Sequence, residues 1–151
     1  MTIPFLRHLP GLSGSRIQQV VTSRDLRSTA AKAAIDQLLE HLPELLVATV
    51  VDVASGTPLA SYATERRYQS ATMTAAVVAA AQQVQASLTT QAASPTEQLQ
   101  EMLLTLSSQL HLSCLGAHGQ LLYLAVDIHD TNLALARQLA RQAIDSFDAL
   151  Q

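Results

Sequence analysis

The stretch Val47-Ala-Thr-Val-Val-Asp-Val-Ala-Ser-Gly-Thr-Pro-Leu-Ala-Ser-Tyr-Ala63 decides how the chain folds. Its first part, Val47 to Val53, is rich in β-branched residues and reads as a strand. Leu59-Ala-Ser-Tyr-Ala63 reads as the partner strand across the turn at Ser55-Gly56. The hairpin carries no catalytic group, so it reads as scaffold.

Downstream, Glu65-Arg66-Arg67 forms a polar loop, and from about Ser70 to Thr89 apolar residues recur as Met73, Val77, Ala80/Ala81, Val84 and Leu88. Spacings of three and four predict an amphipathic helix of five to six turns. Its other positions are small, with Ala71, Ala75, Ala76, Ala79 and Ala86. That composition serves helix propensity and would equally let another helix approach closely. Ala92-Ala-Ser-Pro-Thr96 breaks the pattern. Three strands are then expected, over Gln98–Leu106, Leu110–Leu115 and Leu121–Val126, the last two joined by a tight connection at Gly116-Ala-His-Gly119. A final helix, capped by Asp130 or Thr131, stacks Leu133, Ala136, Ala140, Ala143, Ile144 and Phe147 in one stripe.

Upstream, Thr22-Ser-Arg-Asp25 has the form of a capping box, and the helix it opens runs to His41 with Ile35, Leu38, Leu39 and Leu42 on one side. Lys32 and Asp36 sit four apart on its other face, and Pro43 ends it. Residues 1–21 hold Pro4, Pro10, Gly11 and Gly14 and read as an irregular N-terminal arm whose Ile3, Phe5, Leu6 and Leu9 either pack or bind a partner. The element order is α-ββ-α-βββ-α in a domain over residues 22–151. A single antiparallel sheet of five strands flanked by three helices, α+β in class, buries every apolar stripe. One strand then forms an exposed edge. Leu99 to Leu106 would aggregate there unless it were covered or paired with a second copy of itself.

Composition narrows the functional classes. A chain of 151 residues is long enough for one domain with a real core, but only 3% of residues are aromatic and Trp is absent, leaving few anchors for a flat ligand. Nine basic residues against twelve acidic ones leave a net charge of −3 and no basic stripe, which argues against nucleic acid and against an anionic membrane surface. No apolar run approaches a bilayer span and the N-terminus lacks a secretory pattern, so a cytoplasmic protein is expected. The single cysteine, Cys114, excludes an internal disulfide and a cysteine-cluster zinc site, and its apolar setting reads as a buried structural thiol.

Motifs for chemistry are missing. The five histidines, His8, His41, His111, His118 and His129, show no H-x-x-x-H spacing, and neither a phosphate-binding glycine loop nor a nucleophile elbow occurs. Asp52 and Asp127 end predicted strands, where turn capping is the expected role. Arg66-Arg67 reads as a solvated loop pair, or as a docking pair for a partner or an arginine finger supplied to a nucleotide. No catalytic, cofactor or metal residue is expected.

Pro43-Glu-Leu-Leu-Val-Ala-Thr-Val-Val-Asp52 with Gly56 and Leu59-Ala-Ser61 resembles the opening hairpin of the roadblock/dynein-light-chain family, a profilin-like fold. Leu112-Ser-Cys-Leu-Gly116 with Leu121-Leu-Tyr-Leu124 is similar to its last hairpin, and Asn132-Leu-Ala-Leu-Ala-Arg137 to the start of its final helix. The likeness spans about residues 24–149. Two departures are a longer first hairpin turn, Asp52 to Pro58, and Ala134 where the family has glycine.

Members of this family form dimers in which sheets join edge to edge and central helices pair, and bacterial members act with small Ras-like GTPases. The resemblance therefore implies a homodimer joined through Met73, Ala76, Val77, Ala80 and Val84 of the second helix and Leu99, Glu101 and Leu103 of the edge strand. It also implies a non-enzymatic regulator of a Ras-like small GTPase, with Arg66 and Arg67 as partner contacts. Two other classes stay open: a structural adaptor without a GTPase, and a small-ligand sensor using a cleft between helix and sheet.

Overall fold

Asp25 begins the first helix. In the computed structural model, which describes residues 20–21, 25–65, 67–68, 70–90 and 96–151, helix α1 spans Leu26–His41. The Asp25 backbone is extended, and its carboxylate accepts a hydrogen bond from the Ser28 N–H at 2.7 Å. Asp25 is thus the N-cap itself, whereas the sequence pattern placed it three residues inside a box opened by Thr22, which lies outside the described residues. An extended Asp reaches an N–H three residues on without any partner before it. The Lys32–Asp36 pair closes at 2.6 Å, and the Leu42 N–H bonds the Leu38 carbonyl to end the helix.

Strands β2 (Leu45–Asp52) and β3 (Pro58–Ala63) form the expected hairpin, with Val47 opposite Ala63 and a bulge between Val50 and Val51. Asp52 shapes the turn by accepting from both the N–H and the hydroxyl of Ser55 at 2.9 Å. Gly56, at φ +69°, supplies the left-handed residue that the turn needs. Helix α2 (Ser70–Thr90) follows, then β4 (Glu101–Thr105), β5 (Gln109–Leu115), β6 (Gln120–Asp127) and α3 (Leu133–Ala149).

The three helices and five expected strands are all present, and a further two-residue strand, β1 (Val20–Val21), adds to the sheet beside β3. It falls at the end of the stretch read as an arm; two β-branched residues are too few to produce a periodic signal. The antiparallel sheet runs β1-β3-β2-β6-β5-β4. Strand β4 is shorter than Gln98–Leu106, because pairing starts only at Glu101 opposite Cys114.

Both faces of the sheet are covered, by different means. Helices α1 and α3 pack side by side, α1 over β2 and β3, α3 over β5 and β6. Between them and the sheet lies an apolar core that includes Ile35, Leu38, Val50, Leu112, Leu122, Leu124, Ile144 and Phe147. On the opposite face, among the described residues, α2 alone crosses β2, β3 and β6 over a smaller cluster of Val47, Val51, Val77, Val78, Ala81, Leu121 and Tyr123. Alternation along the strands assigns every second residue to each face. Among the described residues, no helix is long and apolar enough to cross a membrane.

Candidate functional site

Helix α2 contains no charged residue in 21 positions. Its buried residues, Thr74, Val77, Val78 and Ala81, form a narrow stripe, so most of its circumference faces outward. At 3.6 residues per turn, Met73, Ala76, Ala80 and Val84 share one flank, and Ala71, Ala75, Ala79 and Gln82 share the other. Val77 belongs to neither, because it is buried against the sheet and supports the helix from beneath. Met73 is half-buried against the same cluster, while Ala76, Ala80 and Val84 are exposed. Two side chains fix the helix in place. Gln82 donates to the Val53 carbonyl at 2.7 Å, and the Leu99 N–H donates to the Gln85 side chain at 3.1 Å.

Among the described residues, strand β4 is the terminal strand of the sheet, paired on one side only, with β5. Leu103, Leu104 and Leu106 at this edge are 40, 47 and 45% exposed. Register divides the strand between the two faces. Glu101 and Leu103 lie opposite Cys114 and Leu112, on the α3 side, where Glu101 accepts from Arg137 at 2.6 Å. Met102 and Leu104 lie opposite Ser113 and His111, on the α2 side. The resemblance pointed to Leu99, Glu101 and Leu103; the placing of Met102 and Leu104 on the α2 side emerges only from register. Leu99 precedes the strand and packs half-buried on the α2-side cluster.

Of the arginine pair, Arg66 lies outside the described residues, as does the arm over residues 1–19. Arg67 sits 2.7 Å from the Glu65 carboxylate, with its guanidinium 5.1 Å from the Tyr68 ring centre. These local contacts hold it on an exposed loop beside Leu46 and Gln109.

Several other polar groups are held in local contacts. His111, buried on the α2 side, bridges Tyr123 Oη at 2.8 Å and Gln109 Oε1 at 2.9 Å. The Gln109 oxygen can only accept, so Nε2 of His111 carries the proton and Nδ1 accepts from the tyrosine hydroxyl. Burial lowers the His111 pKa and pushes that of Tyr123 up to about 12, which keeps both neutral. Burial also pushes the Cys114 thiol up to about 11, as expected of a packing residue. Asp52 is held below the usual carboxylate range by the Ser55 N–H, helped by the Ser55 hydroxyl and Arg27. Asp127 accepts from the His129 N–H at 2.8 Å, so both strand-end aspartates cap turns. Among the described residues, no group of three or more His, Cys, Asp or Glu is placed to hold a metal ion.

No protein-family model and no curated protein matches the sequence. Solved structures do. MglB of Myxococcus xanthus superimposes with a TM-score of 0.70 at 14% identity, over 87% of this chain and 92% of that one. MglB in a tetrameric arrangement gives a TM-score of 0.66 at 19% identity, over 80% of this chain and 89% of the other. A Roadblock/LC7 domain from Streptomyces avermitilis gives 0.61 at 11% identity, over 79% and 92%. The chain has the roadblock/LC7 fold.

Within that fold the stretches that carried the resemblance occupy the expected places. Asn132-Leu-Ala-Leu-Ala-Arg137 opens α3, and Asn132 is the N-cap, accepting from the Leu135 N–H at 3.2 Å. Asp130 and Thr131, the residues favoured from sequence, precede the cap. Gly116, in the connection before β6, has a packing reason: a Cβ there would come within 2.8 Å of the Asp148 carboxylate, which accepts from the Ala117 N–H.

Proposed function

We propose that this roadblock-fold chain is a non-enzymatic, homodimeric regulatory module of the cytoplasm that binds a Ras-like small GTPase and shifts its nucleotide state. The observation that carries the reading is the conjunction on one side of the sheet of an uncharged, small-sided α2 flank and a free apolar β4 edge. A long helix that met only water would carry charges on its outer side. An edge strand with two exposed leucines, and a third just beyond its end, is an invitation to another strand. A second copy related by a two-fold axis satisfies both at once, since pairing β4 with its copy sets the two α2 helices on the same face. That one MglB structure has a tetrameric arrangement supports self-assembly of this fold.

The role toward a GTPase rests on the resemblance to bacterial family members. A dimer without a catalytic constellation acts on a switch protein through differential affinity: tenfold tighter binding to one nucleotide state shifts its equilibrium by about 1.4 kcal/mol. Arg67, on the loop entering α2, would then lie at the rim of the partner contact, with Arg66 beside it in the sequence.

The test is a pull-down from lysate of the source organism on the immobilised protein, run in parallel with GDP and with a non-hydrolysable GTP analogue. Recovery of a small GTPase in one arm only is the expected result. Equal recovery in both arms, or no GTPase in either, would replace the regulator by an adaptor.

A further inference from the structure

Two hydroxyls on the α2 side are buried and unused. Thr49, on β2, is 1% exposed and Thr74, on α2, is 6% exposed, and neither Oγ1 has a hydrogen-bond partner. They come from different layers, one from the sheet and one from the helix above it, yet both line one cavity of about 350 Å³ between α2 and the β2–β3 hairpin. A buried hydroxyl without a partner costs on the order of 1–3 kcal/mol, so two at one place mark a position where polar atoms from outside complete the structure.

The walls define what fits. Pro58, Ala75 and Val78 make the cavity largely apolar, Ser61 and Ser70 add hydroxyls, and among the described residues no charged side chain lines it. Volume, apolar walls and a few convergent polar groups are the ordinary attributes of a small-molecule site. Absence of charge from the lining selects against ionised ligands, whose desolvation nothing there would offset. Position matters as well. Ala71, Ala75 and Ala79 bound the cavity on the α2 flank opposite Met73, Ala80 and Val84, so the mouth stays open when the other flank is covered.

We propose that this cavity binds a small uncharged molecule with an apolar body and one hydroxyl or carboxamide group, which hydrogen-bonds the Thr49 and Thr74 hydroxyls. The proposal is independent of the GTPase reading and would make the module ligand-responsive.

The experiment follows the threonine methyl resonances of the full-length protein, isotopically labelled, during titration with cyclohexanecarboxamide, cyclohexanol and cyclohexanecarboxylate. Saturable shifts at Thr49 and Thr74 with the two neutral probes, and none with the carboxylate, are expected. The double variant Thr49→Val/Thr74→Val keeps the shape and removes both hydroxyls. It should unfold at the same or a higher temperature than wild type while binding the amide about tenfold more weakly. Failure of either neutral probe to saturate would overturn the proposal. So would unchanged amide affinity in the variant, or its destabilisation, which would mean that bound water already satisfies the hydroxyls. Contacts from the two methyls to Ile3, Phe5, Leu6 or Leu9 would also overturn it, by giving the cavity to the chain's own arm.

Discussion

The two faces of the sheet are built on different terms. Under α1 and α3 the core is broad and apolar, and α3 divides cleanly between a stripe of Ala136, Leu139, Ala140, Ala143, Ile144 and Phe147 and an outer side carrying Arg137, Arg141 and Asp145. Under α2 the core is small, and four of the six buried polar residues among those described, Thr49, Thr74, His111 and Ser113, lie on that side. Helix α2 is uncharged outside as well as inside. One face is finished within the protomer. The other has apolar surface, a free edge and unused hydroxyls left over among the described residues, and such leftover surface is where partners belong.

If that contrast is right, the finished face should dominate stability. Phe147→Ala, at a fully buried position on the α3 stripe, should cost about 3–5 kcal/mol in urea denaturation. A loss below about 1 kcal/mol would mean that the α3 side is no better packed than the α2 side.

The unfinished face should dominate association instead. Ala80→Arg places a cation on the exposed flank of α2 and should weaken self-association by several kcal/mol through like-charge opposition, as read by sedimentation equilibrium. The folded protomer should change by no more than about 0.5 kcal/mol, since arginine is a good helix former at an exposed site.

A pH series probes the polar side of the same contrast. His111 has its folded pKa lowered, so below about 6.5 the unfolded chain takes up a proton that the folded chain resists. Stability should therefore fall as pH drops through 6.5, and level off below the folded pKa. His111→Gln should flatten this portion of the melting-temperature profile, whereas a loss that persists in the variant would assign the dependence to another group.

The smallest effect is expected at the Glu101–Arg137 pair. The contact is short, at 2.6 Å, but the Arg137 side chain is more than half exposed. Arg137→Ala should change stability by at most about 1 kcal/mol, with sensitivity to salt.

Sequence reading succeeded where one physical signal dominated. The β-branched run at Val47–Val53, the glycine and proline of its turn, and the Ile144/Phe147 stripe each had one interpretation, and hairpin, sheet and α3 follow from them. It was weaker where alternatives differ by a hydrogen bond. Asp25 and Asn132 became caps over their neighbours because of local backbone direction, which composition does not encode.

On α2 the apolar positions suggested a stripe through Met73, Val77, Ala80/Ala81, Val84 and Leu88; Val77 and Ala81 are buried, but the helix is rotated so that Thr74 and Val78 join them. Alanine on every side leaves little to fix that rotation from sequence. The hydroxyl cavity had no signature for the same reason, since single threonines and serines on a strand and a helix form no pattern until packing brings them together. Likewise, Met102 and Leu104 join the α2 side only through the pairing of β4 with β5.

The central claim is that a second copy of the chain covers the α2 flank and the β4 edge. Light scattering on the full-length protein at micromolar concentration, measured alongside Ala80→Arg, tests it most directly. The account predicts twice the chain mass for the wild type and the chain mass for the variant. A monodisperse wild-type monomer, or a variant that remains dimeric, would contradict it.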